Sequence, residues 1–81
     1  MNRKMKEICH IWGASDRHEL FTYAVESYFN GQLKQARKIV SDIRSVSGMT
    51  DYLEEFTENL QEWFGSDTAE IIINSIVKNH N

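Results

Sequence analysis

The stretch Met49–Phe64, MTDYLEEFTENLQEWF, decides how this chain folds. Turned about a helix at roughly 100° per residue, it divides into two opposed faces. Met49, Tyr52, Leu53, Phe56, Leu60, Trp63 and Phe64 fall on one apolar arc, and Asp51, Glu54, Glu55, Glu58 and Glu62 on a narrow arc opposite. Such an apolar arc must be covered by other elements, because a helix of this length takes most of its stability from packing. The acidic arc has no counterion on its own helix, since no Lys or Arg occurs between Ser45 and Val77.

Outward from this stretch, the rest of the chain reads as further helices that supply the cover. There is no proline, and the four glycines, Gly13, Gly31, Gly48 and Gly65, fall where helical periodicity stops. They predict five helices. The first runs from about Asn2 to Trp12, with Met1, Met5, Ile8 and Trp12 at helical spacing and Cys9 beside them. The second starts at Ser15 or Asp16, with Ser15 a natural N-cap and Glu19 in the first turn. Its apolar positions are Leu20, Phe21, Ala24, Val25, Tyr28 and Phe29. The third, about Gln32 to Val46, turns Leu33, Ala36, Ile39, Val40, Ile43 and Val46 inward and carries Lys34, Arg37, Lys38 and Arg44 on the neighbouring face. Thr50 is placed to cap the fourth helix and Ser66 the fifth. The fifth has Ala69, Ile72, Ile73, Ile76 and Val77 inward and Ile71 off that stripe. No stretch alternates with the period of two that a strand needs. The expected fold is all-α: a single domain over residues 1–81, two antiparallel helical hairpins and an N-terminal helix.

The two hairpins echo each other. At an offset of 33, Leu20, Tyr23, Ala36, Ile39, Val40 and Ile43 fall on Leu53, Phe56, Ala69, Ile72, Ile73 and Ile76. Tyr28-Phe29 before Gly31 matches Trp63-Phe64 before Gly65. The segment YFNGQLKQA, Tyr28 to Ala36, resembles the inter-helix turn of tetratricopeptide repeats. That resemblance implies a helix-turn-helix unit and no more: the family's proline and its first-helix tryptophan-leucine-glycine pattern are absent, and a solenoid needs about three units.

Composition bounds the function. One cysteine in 81 residues allows no internal disulfide and no cysteine cluster, which favours a reducing compartment. The start MNRKMKEICHIW lacks the apolar run of a signal peptide, and no window reaches the ~20 apolar residues of a membrane span. The expected location is the cytoplasm. The net charge of −3 hides a division. Residues 1–44 hold eight Lys/Arg against five Asp/Glu, a balance of +3, and residues 45–81 hold one Lys against seven Asp/Glu, a balance of −6. Such a division favours charge-guided association, within the chain, with a second copy, or with another partner.

Residues able to do chemistry are scattered. Cys9 and His10 are adjacent and point apart on a helix, as do His18 and Glu19, so neither pair chelates a metal easily. Cys9 with His10 or His18 is the one nucleophile–base combination, and Cys9 lies on the apolar side of its helix. No glycine-rich phosphate loop occurs. We expect no enzyme, no cofactor and no metal. The fourth and fifth helices have the outline of a helix-turn-helix, but Asp67 and Glu70 would meet DNA phosphates with like charge. The better nucleic-acid face is Arg3, Lys4 and Lys6 with Lys34, Arg37, Lys38 and Arg44, provided that helices one and three lie side by side.

The expected function is a small protein-interaction module that binds and modulates, for instance inhibits, another protein with a basic surface. It would use Asp51, Glu54, Glu55, Glu58 and Glu62, because a row of carboxylates attracts a cationic partner and can imitate phosphates. Small proteins of this kind are common on phages and other mobile elements. The alternative is a nucleic-acid-associated regulator using the basic faces of helices one and three. Two Trp, three Tyr and four Phe are many for one small core, and any that are exposed together would mark an interface, with a homodimer one form of it.

Overall fold

Whether the apolar arcs find one another is answered by a computed structural model, which describes residues 3–46 and 50–78 and, for 50–53, the backbone alone. Among the described residues every regular element is helical: α1 (Arg3–Trp12), α2 (Arg17–Phe29), α3 (Leu33–Val46), α4 (Thr50–Phe64) and α5 (Ser66–Ile76). The breaks at Gly13, Gly31 and Gly65 fall between helices as expected, while the break at Gly48 and the cap at Thr50 lie outside the described residues and side chains.

The helix ends show why the chain turns where it does. α2 is capped by Asp16, not by Ser15: the Glu19 backbone N–H donates to Asp16 Oδ1 at 2.8 Å. Ser15 acts one residue earlier, donating from its backbone N–H (3.0 Å) and its hydroxyl (3.3 Å) to the Glu19 carboxylate. A carboxylate is the stronger acceptor at the positive end of a helix, so the aspartate takes the cap. α2 ends at Gly31, where the Gln32 N–H reaches back to the Ser27 carbonyl (2.8 Å) and the Gly31 N–H to that of Tyr28 (3.1 Å). This pairing needs the left-handed backbone that Gly31 adopts at φ 78°. α5 has no side-chain cap, contrary to the expectation for Ser66, which is its first helical residue. Gly65 alone separates α4 from α5, at φ 87°, and a one-residue reversal leaves no extended position before the helix for a serine to occupy.

Packing follows the two-hairpin plan. α2 lies on α3, α4 lies on α5, and α1 packs on α3 and α2. α5 also touches α3 and α2 and so joins the hairpins. One hydrophobic cluster draws on all five helices: Met5, Ile8 and Cys9 of α1; Leu20, Phe21 and Ala24 of α2; Ile39, Val40 and Ile43 of α3; Phe56 and Leu60 of α4; Ala69, Ile72 and Ile76 of α5. The radius of gyration, 11.8 Å, is what a chain of this length has when it is close-packed, about 12 Å. Phe21 and Phe56, both fully buried, meet at 5.0 Å between ring centroids and fill the space between α2 and α4. The second helices of the two hairpins correspond well: Ala36, Ile39 and Ile43 are buried, and so are Ala69, Ile72 and Ile76.

Three members of the apolar arcs depart from expectation. Phe29 is 55% exposed, Trp63 42% and Phe64 40%. All three lie in the last turn of their helices, beside the glycine breaks. There no further element among the described residues covers the arc.

Candidate functional site

α4 presents two different surfaces to solvent. On one, Glu54, Glu58 and Glu62 are exposed, with successive carboxylates about 6 Å apart along the axis. Among the described residues no cation is paired with any of the three. Glu55 differs: it is half-buried and ion-paired with Arg17 of α2. The side chain of Asp51 lies outside those described.

The basic face of α3 is the obvious intramolecular partner for this row, but it is engaged elsewhere. Arg37 Nε donates to the Ser75 carbonyl at 2.9 Å and Arg44 Nη1 to that of Val77 at 3.3 Å. Both guanidinium groups thus sit on the C-terminal end of α5, where carbonyls lack helical partners and the dipole is negative. Lys38 pairs with Asp42 at 2.8 Å, and Asp42 also accepts a 3.0 Å hydrogen bond from Trp12 Nε1, tying α1 to α3. Lys34 is exposed and has no ion pair among the described residues. Among the described residues, the positive and negative halves of the sequence therefore do not neutralise each other through α3 and α4; the ion pair between α4 and the basic half is Arg17–Glu55.

The second surface of α4 is aromatic. His18 stands edge-on to Trp63 (5.6 Å), Trp63 to Phe64 (6.3 Å), and Phe64 lies tilted against Phe29 (5.2 Å), which meets Tyr28 (5.3 Å). The row runs along α2 from its first turn to its last. At about 150–250 Å² per aromatic side chain, the exposed fractions of Phe29, Trp63 and Phe64 leave roughly 200–340 Å² of ring surface open, close to the largest apolar patch on a typical monomer. The rings flank a cleft of about 290 Å³ lined by Thr22, Val25, Glu26, Phe29, Asn30, Trp63 and Phe64. A second, more polar cleft of about 260 Å³ lies between α4 and α5, with Gln61, Glu70, Asn74 and Lys78 among its walls.

The expected site residues are thus divided. The structure brings Glu54, Glu58 and Glu62 together in the open, takes Glu55 into an ion pair, and separates all of them from Lys34, Arg37, Lys38 and Arg44. Sequence reasoning did not single out Thr22, Val25, Glu26 or Asn30 as cleft walls. The available signal was the pair of aromatic doublets, Tyr28-Phe29 and Trp63-Phe64, each just before a glycine break.

Other reactive groups are held in structural roles. Cys9 is buried, and its thiol is pushed above the ordinary 9.0, first by desolvation and then by the nearby charges of Asp16 and Glu19. Tyr23 donates to Glu19 at 3.0 Å, and this hydrogen bond holds its hydroxyl above the ordinary 10.0. Groups with a raised folded-state pKa stabilise fully below their unfolded value and lose that contribution as pH rises through the folded value. Thermal stability is therefore expected to fall above pH 9, and Cys9→Ala to flatten the fall, read by calorimetry between pH 8 and pH 11. In the same samples Cys9 resists alkylation until the protein is denatured. Among the described residues no three His, Cys, Asp or Glu side chains are grouped to hold a metal ion, and no helix is long and apolar enough to cross a membrane. No family model matches the chain, and neither a curated protein nor a solved structure does.

Proposed function

We propose that this chain is a non-enzymatic interaction module that binds another protein carrying a basic surface and modulates it, inhibition being the simplest form. The supporting observation is that α4 carries Glu54, Glu58 and Glu62, with no paired cation among the described residues, together with half-exposed Trp63 and Phe64, while the chain's own arginines on α3 are bonded to α5. Like charges at i, i+4 spacing cost a few tenths of a kcal/mol each. A cationic partner relieves that cost, speeds encounter and sets orientation. Exposed rings at the end of the same helix supply the desolvated contacts that give affinity.

Reversal of Glu54, Glu58 and Glu62 to Lys tests this. Glu and Lys have similar helix propensity, so the far-ultraviolet circular dichroism is expected to stay unchanged. Capture of the partner from source-cell lysate is expected to be lost, and the wild-type association rate, measured with the purified partner, to fall steeply with salt. Capture that survives the reversal removes the stripe from the function.

The second reading is a nucleic-acid-associated regulator. It is favoured by the packing of α1 on α3, which brings the helix bearing Arg3, Lys4 and Lys6 alongside the one bearing Lys34. A gel shift at moderate salt separates the two readings: tight DNA binding abolished by Lys34→Glu and Lys38→Glu would replace the first.

A further inference from the structure

Building on the reading of α4 as a protein-binding surface, we propose that the cleft between α2 and α4 receives one large apolar side chain from a basic helical segment of the partner, a Lys or Arg of which lies on Glu26. Four observations favour this occupant.

The first is shape. At about 290 Å³ the cleft lies at the lower limit for a small-molecule site, and it suits a single anchoring side chain. Val25, Phe29, Trp63 and Phe64 give it apolar walls. The second is order. The edge-to-face and tilted contacts from His18 through Trp63 and Phe64 to Phe29 hold these rings in register before anything binds, so little side-chain entropy is lost on docking.

The third is charge. Glu26 is exposed on the cleft wall and is the one charged residue among the described residues that line it. An apolar anchor flanked by carboxylate-bearing peptide would be repelled, whereas one flanked by Lys or Arg gains an ion pair and a cation–π contact with the open face of Trp63. The fourth is area. The roughly 200–340 Å² of open ring surface, taken at 150–250 Å² per side chain, is far below the ~800 Å² that each partner of a standard interface buries. Two copies meeting ring to ring about a two-fold axis would also bring Glu26 of each toward its symmetry mate. The rings therefore form the centre of a larger interface with Glu26 on its polar wall, and not a dimer seam.

The test uses the full 81-residue protein, labelled with nitrogen-15, and a series of synthetic 16-residue helical peptides. Each peptide carries four Lys or Arg on one face and a single central Phe, Leu, Trp or Ala; a further peptide has Glu in place of the basic residues. The indole N–H signals of Trp63 and Trp12 report separately, because Trp12 is tied to Asp42 on α3. With the Phe, Leu or Trp anchor, the Trp63 signal is expected to shift and the Trp12 signal to stay. The Ala anchor, the Glu peptide, and the variants Phe29→Ser and Phe64→Ser are each expected to weaken binding at least tenfold, with circular dichroism verifying that the variants fold. Equal affinity for the Phe and Ala anchors, or an unmoved Trp63 signal, overturns the proposal without reliance on any variant. Light scattering that shows a dimer dissociated by Phe64→Ser also overturns it, in favour of a second copy. Loss of lysate capture on reversal of Glu54, Glu58 and Glu62, with full capture by Phe29→Ser, overturns the cleft alone. Capture that survives the reversal overturns the underlying reading itself.

Discussion

Phe56→Ala leaves this protein largely unfolded at 37 °C. Phe56 is fully buried and meets Phe21 at 5.0 Å, where the α4–α5 hairpin rests on α2. Truncating a buried Phe to Ala costs about 3–5 kcal/mol, because the transfer energy of the ring is lost and a cavity remains. A chain of this size has a total stability of about 4–12 kcal/mol. At the low end of that range the substitution removes nearly all of it. Few alternatives can close the gap, since α2 and α4 are joined there by rings and not by close backbone approach. Urea denaturation followed by circular dichroism measures the change as a lower midpoint with a similar slope. Phe64→Ala is the internal comparison. Its ring is 40% exposed and lies at the rim, so its effect on stability is expected to be much smaller. Equal midpoints for the two variants would mean that the ring row is core, and the cleft would lose its standing as a recognition surface.

That contrast marks what the sequence could and could not reveal. The inner faces were legible because burial in a helix has a period: Ile39, Ile43, Ile72 and Ile76 fall on their stripes and are buried, while Ile71 falls off its stripe and is 57% exposed. Period gives direction around a helix but not the distance along it that neighbours cover. Phe29, Trp63 and Phe64 point the right way and still emerge, because no further element among the described residues covers them. Caps were legible to within a residue. Asp16 displaced Ser15 because two good acceptors were adjacent and the carboxylate is the stronger one at the positive end of a helix. The charge pattern was legible as divided, but the bonds that its basic half makes were not. Arg37 and Arg44 bond to backbone carbonyls of α5, and a carbonyl acceptor has no residue type to betray it. Arg17 and Glu55, 38 positions apart in sequence, form an ion pair that only the crossing of α4 over α2 makes possible.

Arg37→Met is expected to cost about 1.5–3 kcal/mol, the range for a hydrogen bond to a charged group, and so to lower Tm by roughly 10 °C in a domain of this size. Met keeps an apolar stem of similar length and removes the guanidinium, so the loss measures the bond to the Ser75 carbonyl. That carbonyl lies in the last turn of α5, where helical partners run out and the dipole adds to the attraction. Arg44 makes the companion contact to Val77 at a longer 3.3 Å, and Arg44→Met is expected to cost less. Lys34→Met, on the same face of α3 but exposed and without an ion pair among the described residues, is expected to change stability by no more than about 0.5 kcal/mol. Amide exchange gives the local readout: with Arg37→Met, protection is expected to fall first at Ile76 and Val77, ahead of global unfolding. The order of the three variants discriminates between two uses of the basic face. Stability losses graded Arg37, Arg44, Lys34 mean that the arginines serve as a clamp on α5 and are not counterions for the acidic row of α4. Equal and small losses would mean that the face is merely solvated, and its four cations would then be available to a nucleic acid after all.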